Sequence, residues 1–92
     1  NLCYANFSMA SMENILFDNT GLKNSSFQEN KLKNIIFKQS DLTQVQFFKT
    51  PLKGMDFSDS KIEGMAVYLE DIRGAIINEF QAIDLLYLLK IT

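Results

Sequence analysis

The residues that could do acid–base or nucleophilic chemistry in this chain are few. Two carboxylate pairs, Asp56 with Asp59 and Glu70 with Asp71, have the short spacing that general acid–base catalysis can use. The sequence has no histidine and one cysteine, Cys3. It therefore offers no histidine base, no Ser-His or Cys-His pair and no histidine-containing zinc site. We interpret the carboxylates as solvated side chains and predict a protein that is not an enzyme and has no cofactor and no metal.

Length and composition favour one small domain. The chain has 92 residues, 47% of them hydrophobic, and a formal net charge of −2. This charge predicts no strong attraction to nucleic acid or to an anionic membrane. No run of 18 apolar residues exists to span a bilayer, and a single cysteine cannot form an internal disulfide. We therefore expect a cytoplasmic protein.

The elements that position these side chains follow a period of five. Every fifth residue from Leu2 to Ile77 is large and apolar, without insertion or deletion. At 47% hydrophobic content, such a run arises by chance on the order of once in 10⁵. The predicted core ladder consists of Phe7, Phe17, Phe27, Phe37, Phe47, Phe57, Leu22, Leu32, Leu42, Leu52 and Ile62.

The remaining positions of each pentad alternate and then turn. The residue two before each centre is mostly small or apolar, and the residue between them is often polar, which is the in–out–in alternation of a short strand. Asn or Gly often occupies the second of the two corner positions, as at Asn14, Asn34 and Gly54. Because Asn and Gly tolerate positive φ, we predict that the backbone turns there. Asn30 and Glu70 are exceptions at the inward positions.

A spacing of ten between phenylalanines implies an even number of sides in each coil. A period of twenty also groups the minor inward residues, since Thr20, Ser40 and Ser60 form one column of hydroxyls. We therefore predict an all-β solenoid, with four sides to a coil and about four coils, over residues 1–77. Two opposed phenylalanine ladders would alternate with two aliphatic ladders.

The segment YANFSMA, residues 4–10, resembles the pentapeptide-repeat family, whose consensus is A-[DN]-[LF]-x-x. The resemblance covers residues 1–77. It implies a right-handed quadrilateral β-helix with the centre residues pointing inward. It implies little about function, since most members of that family have no assigned activity.

The period of five ends after Ile77, and residues 78–92 read as a helix followed by a short tail. Asn78 is a candidate N-cap, and Glu79 would lie in the first turn. One apolar stripe should cover the open end of the solenoid, and another is available for a homodimer. The alternative is that both stripes pack as a cap. The predicted cap and dimer residues are Phe80, Ile83, Leu85, Leu86, Tyr87 and Leu89.

The stretch PLKGMDFSDSKIEG…DIRGAIINEFQAIDLLYLLKIT is similar to the C-terminal half of Qnr-type quinolone-resistance proteins. The resemblance implies a DNA-mimicking dimeric rod that binds DNA gyrase or topoisomerase IV and protects it from quinolones. Residues 1–77 hold nine acidic and eight basic residues, a poor match to the charge density of DNA. The candidate partner-binding acidic residues are Asp56, Asp59, Glu63, Glu70 and Asp71.

The alternative function is a pentapeptide-repeat scaffold for a different protein partner. Two outward apolar features favour an interaction surface of this kind. Leu16, Ile36 and Ile76 share one outward column, and Phe48 and Tyr68 share an outward corner. Shielding by neighbouring long side chains would explain both features equally well.

Overall fold

Short parallel strands stacked at a constant register form the body of the protein. A computed structural model describes residues 2–83 and contains strands β1 (Ser11–Asp18) and β2 (Lys31–Lys38) and the one-turn helix α1 (Leu69–Ile72). Residues 79–83 are also helical and are called the terminal helical segment below. Strands β1 and β2 pair in parallel, with each residue opposite the residue twenty positions later.

Bridges outside β1 and β2 keep the same register. One series joins Asn6 to Ser26, Ser26 to Gln46 and Gln46 to Ala66, and each step is again twenty residues. A further side repeats the offset from Gly21 to Asp41 and from Asp41 to Lys61, and the bridge from Asp56 to Ile76 continues the side that pairs Leu16 with Ile36. The chain therefore returns to the same side after every twenty residues, which is the arrangement of a β-helix.

The corners of each coil lie five residues apart and use left-handed backbone. The sequence predicts positive φ at the Asn and Gly corner positions, and the structure confirms it. The residues concerned are Asn14, Asn19, Asn24, Asn34, Gly54, Gly64 and Gly74. Residues without this preference, such as Gln39 and Lys49, take the same conformation. Corners five residues apart in a twenty-residue register give each coil four sides.

Many corners are type II turns. The Ser25 N–H donates to the Leu22 carbonyl at 3.0 Å, and Asn24 between them has a φ of 62°. The turn from Leu52 to Met55 repeats this geometry with Gly54 at the positive-φ position. The interval of five thus consists of a short extended side and a tight corner.

The core lies inside the coils, where the phenylalanines form two stacks. In one stack the Phe27 ring lies 4.9 Å from Phe7 and 5.2 Å from Phe47. The Phe37 ring belongs to the second stack and meets Phe27 edge-on at 6.1 Å. Leu22, Leu42, Leu52 and Ile62 are fully or almost fully buried beside the stacks, whereas Phe7 and Leu32 are partly buried. Offset stacks joined by edge contacts are favourable aromatic geometry.

Polar residues in the interior complete the backbone hydrogen bonding. The Thr20 N–H donates to Ser40 Oγ, which donates in turn to the Phe17 carbonyl at 3.0 Å. Asn30, an exception in the sequence pattern, belongs to a similar column, because its N–H donates to Thr50 Oγ1 at 3.0 Å. These inward polar side chains satisfy backbone groups that the coil-to-coil ladder does not reach.

Candidate protein-binding surfaces

Asp56 lies on the outer side of the solenoid that also carries Leu16, Ile36 and Ile76. Its bridge to Ile76 continues the register that pairs Leu16 with Ile36. Hydrogen bonds from the side chain and the backbone N–H of Ser58 lower the pKa of the Asp56 carboxyl. Asp56 is therefore a carboxylate at neutral pH, set within an otherwise aliphatic column.

The other predicted carboxylates lie elsewhere around the coil. Asp59 occupies the corner that follows the side of Asp56, and Glu63 lies one corner further along. Glu70 and Asp71 belong to α1, which replaces the corner after that. The five candidate acidic residues are thus distributed around the rod, with Glu70 and Asp71 together on α1. They form neither one continuous acidic face nor a single catalytic group.

Basic residues form a column at the corner before the side of Asp56. The Lys33 Nζ lies 3.6 Å from a carboxylate oxygen of Glu13, and both side chains are more than half exposed. Lys53 and Arg73 follow in the same column. A Cβ added at Gly74 would come within 2.9 Å of Lys53 Cγ, so the Lys53 side chain crosses that glycine. An exposed pair such as Lys33–Glu13 contributes little to stability.

The carboxyl end is joined to the coils through Asn78 and Gln81. The Gln81 N–H donates to Asn78 Oδ1 at 2.8 Å, and the Asn78 N–H donates to Gln81 Oε1 at 2.9 Å. This reciprocal pair is a capping box. Gln81 Nε2 also donates to the carbonyls of Phe57 and Ser60. The Gln81 side chain thus plays the part that a hydroxyl would play one coil after Ser60 in the column of Ser40 and Ser60. It holds the terminal helical segment on the last coil.

Gln81 was missed by the sequence reasoning, which used only the N-cap character of Asn78. The spacing Asn-x-x-Gln was the available signal, because it matches a capping box. Phe80 is 74% exposed and Ile83 is 55% exposed, so both leave apolar surface open at this end. Four further predicted dimer residues, Leu85, Leu86, Tyr87 and Leu89, lie outside the described residues.

A second apolar surface lies at the corner of α1. The rings of Phe48 and Tyr68 are 4.9 Å apart on successive coils. Leu69 follows them at the start of α1 and is 63% exposed. We call Phe48, Tyr68 and Leu69 the aromatic corner. The helical turn was not foreseen from the sequence, and it gives Leu69 a position that a regular corner would not.

Within residues 2–83, no group of three His, Cys, Asp or Glu side chains could hold a metal ion. No helix in that same range has the length and apolarity needed to cross a membrane. Cys3 is exposed.

Comparisons with known proteins give a structural likeness only. No family model matches the chain, and no curated protein matches it. The structure is similar to that of a pentapeptide repeat protein, Rfr23, from the cyanobacterium Cyanothece 51142, with a TM-score of 0.44 and 13% identity. The match covers 82% of this chain and 45% of that chain, so the present chain spans less than half of that protein. The β-helix-like fold rests on the twenty-residue register described above.

Proposed function

We propose that this protein is a non-enzymatic, cytoplasmic scaffold of the pentapeptide-repeat type that binds another protein. In finer terms, residues 1–77 form a right-handed quadrilateral β-helix of about four coils. Residues 78–92 form a capping and dimerisation helix with a short tail. The observation that carries the proposal is that inward and outward side chains alternate along each side of the coil. Inward positions form the core, so the outward columns are free to present a binding surface.

The aromatic corner is the surface that we assign to the protein partner. Tyr68 is 43% exposed and Leu69 is 63% exposed, and the Tyr68 ring lies 4.9 Å from the ring of Phe48. Aromatic residues in such a patch are typical of interface centres. Glu70 and Asp71 flank the patch, so the partner would present an apolar pocket with a basic rim.

The test compares partners captured by the wild type and by a Tyr68→Ser, Leu69→Ser variant. The matched control is Tyr4→Ser, which removes a tyrosine that is 77% exposed at a different corner near the amino end. We expect a specific partner that is retained by the control, lost by the double variant and reproduced with purified components. A partner set that is identical for all three proteins would reject this assignment.

A second candidate is the Qnr-like function, in which a dimeric rod occupies the DNA-binding site of gyrase or topoisomerase IV. The terminal helical segment supports it, because Phe80 and Ile83 are exposed where a tail-to-tail dimer would form. The distribution of Asp56, Asp59 and Glu63 around the rod weighs against it, since mimicry of DNA needs a continuous acidic face.

The topoisomerase proposal is tested by gyrase supercoiling with and without a quinolone. Inhibition or protection at micromolar protein, reduced by Asp56→Asn with Asp59→Asn, would support it. No effect and no binding would reject it and leave the scaffold proposal. Dimerisation through the tail is tested separately by ending the chain at Asn78, because an unchanged dimer would exclude the tail as the interface.

A further inference from the structure

The side of the solenoid that carries Leu16, Ile36, Asp56 and Ile76 has an apolar centre and two oppositely charged edges. Leu16, Ile36 and Ile76 are 56%, 51% and 50% exposed. Because they follow one another at intervals of twenty residues, or forty across Asp56, they form one stripe along the rod. We call this surface the aliphatic side.

The corner columns at its two edges differ in sign. The column before the aliphatic side carries three cations and one carboxylate, namely Glu13, Lys33, Lys53 and Arg73. The corner after it carries three carboxylates and one cation in two adjacent columns, with Asp18 and Lys38 in one and Asp59 and Glu79 in the next. The formal charges of the two edges are therefore equal and opposite.

The net charge of each edge comes from the half nearer the carboxyl end. In the amino-terminal half, Lys33 pairs with Glu13 at 3.6 Å, and Asp18 is the register partner of Lys38. Both edges are thus compensated internally there. In the other half, Lys53 and Arg73 lie on one edge and Asp59 and Glu79 lie on the other.

From this pattern we propose that the aliphatic side binds a second copy of this chain, with the two rods side by side and parallel. A two-fold axis parallel to the rod places each edge against the opposite edge of the other copy at the same height. Lys53 then faces Asp59 of the second copy, and Arg73 faces Glu79 of the second copy. The same geometry sets Glu13 against Asp18 and Lys33 against Lys38, so the attraction comes from the half nearer the carboxyl end. Antiparallel packing would bring edges of the same net charge together, so the net charges of the edges select the parallel arrangement.

The dimensions suit a weak homodimer. The described part of the chain measures 34 × 24 × 23 Å. One full side is therefore about as large as the roughly 800 Å² per partner of a standard interface. Ile36 would contact its own copy across the axis, as closed two-fold interfaces require. Asp56 would also meet its own copy, and this repulsion limits the affinity. The surface is separate from the aromatic corner and includes one residue of the terminal helical segment, Glu79.

Cysteine cross-linking tests the arrangement in the full chain with Cys3→Ser. We expect an Ile36→Cys variant to form a disulfide-linked dimer on mild oxidation, because the two-fold axis passes beside this position. The matched control Gln46→Cys lies on another side and should remain monomeric on a denaturing gel. A dimer formed only through the tail would leave the two residues at position 36 apart, so it cannot give this product. Equal cross-linking at both positions would overturn the proposal.

Charge exchange tests the orientation. In the Ile36→Cys background, Lys53→Glu should lower the apparent association constant about tenfold, because it replaces two attractive contacts in each dimer by two repulsive ones. Adding Asp59→Lys to the same chain should restore the cross-linking, and Asp56→Ile should increase it. Circular dichroism checks that each variant is folded. Unchanged cross-linking in a folded Lys53→Glu variant would contradict the parallel arrangement.

Discussion

Two adjacent phenylalanines give a sharp test of the inward ladder. Phe47 is in phase with the period of five, is fully buried and contacts the rings of three other phenylalanines at 5.2, 6.2 and 5.9 Å. Phe48 is out of phase, is partly exposed and contacts the ring of Tyr68 at 4.9 Å with a tilt of 40°. Truncation of each residue to alanine removes the same atoms from neighbouring positions in the chain, so only the direction of the side chain differs.

The magnitudes follow from burial. A buried phenylalanine removes about 150–250 Å² from water at about 25 cal/mol per Å². After allowance for the cavity and for a compact unfolded chain, Phe47→Ala should cost about 3–5 kcal/mol. Phe48→Ala loses one aromatic pair and partial burial, which is about 1 kcal/mol. A chain of 92 residues is stable by about 5–14 kcal/mol. Phe47→Ala therefore removes a large fraction of the total.

Urea unfolding followed by far-UV circular dichroism measures both differences. If Phe47→Ala does not fold, Phe47→Leu keeps most of the volume and should cost roughly 1–2 kcal/mol, which is still more than Phe48→Leu. Equal losses of the free energy of unfolding at the two positions, or a larger loss at Phe48, would refute the inward assignment of every fifth residue.

Three further changes probe the corners, the carboxyl end and the acid response. Gly54→Ala should cost about 1 kcal/mol in chemical denaturation, because φ is +80° although nothing lies within 4 Å of the added methyl. Gly54→Asn should cost less, and equal costs would argue against backbone strain. Gln81→Leu should cost about 1–3 kcal/mol, because the Ser60 carbonyl loses the Gln81 donor and the Phe57 carbonyl keeps only the Ser60 N–H; an unchanged free energy of unfolding would contradict this role of Gln81. Hydrogen bonds from Thr43 hold the pKa of Asp41 below its ordinary value of 3.8. The resulting stabilisation is present above that value and is lost as the pH falls through the folded-state pKa. Thr43→Val should raise the pKa of Asp41 in a carboxyl NMR titration, and no shift would contradict this cause.

The coils and corners were readable from the sequence because their determinants are local and repeated. Each side needs one large apolar centre, and each corner needs a backbone that tolerates positive φ. Asn14 and Gly54 indicate a positive φ, because their residue types tolerate it. Gln39 and Lys49 adopt the same conformation although their residue types do not predict it, because stacking against the adjacent coils fixes the backbone at every corner.

Other features depend on which residues meet across coils. Asn30 does not fit the inward pattern of small or apolar residues in the sequence. The register explains it, because the Asn30 N–H lies beside Thr50 Oγ1 on the next coil. The sequence suggests that Gln81 is a surface residue. In the structure its side chain donates to the carbonyls of Phe57 and Ser60 on the last coil. The helical corner at Leu69 keeps the apolar spacing of the pentads, so the period of five alone could not distinguish it from a regular corner.

The candidate sites were less predictable than the fold. Asp56, Asp59 and Glu63 are close in sequence, but successive corners turn them to different sides. Proximity in a solenoid is set by intervals of twenty residues rather than by adjacency. The opposite charges on the two edges of the aliphatic side emerge only when Lys53 and Asp59 are assigned to columns on either side of it.

The central claim is that residues twenty apart are neighbours in a β-helix, and a nuclear Overhauser spectrum of the labelled protein tests it most directly. The account predicts cross-coil contacts between ring protons of Phe17 and Phe37 and of Phe27 and Phe47, whose centroids are each 5.2 Å apart. It also predicts backbone contacts between register partners such as Ser11 and Lys31. Contacts at a different interval, or helical contacts between residues three and four apart through residues 11–62, would contradict it.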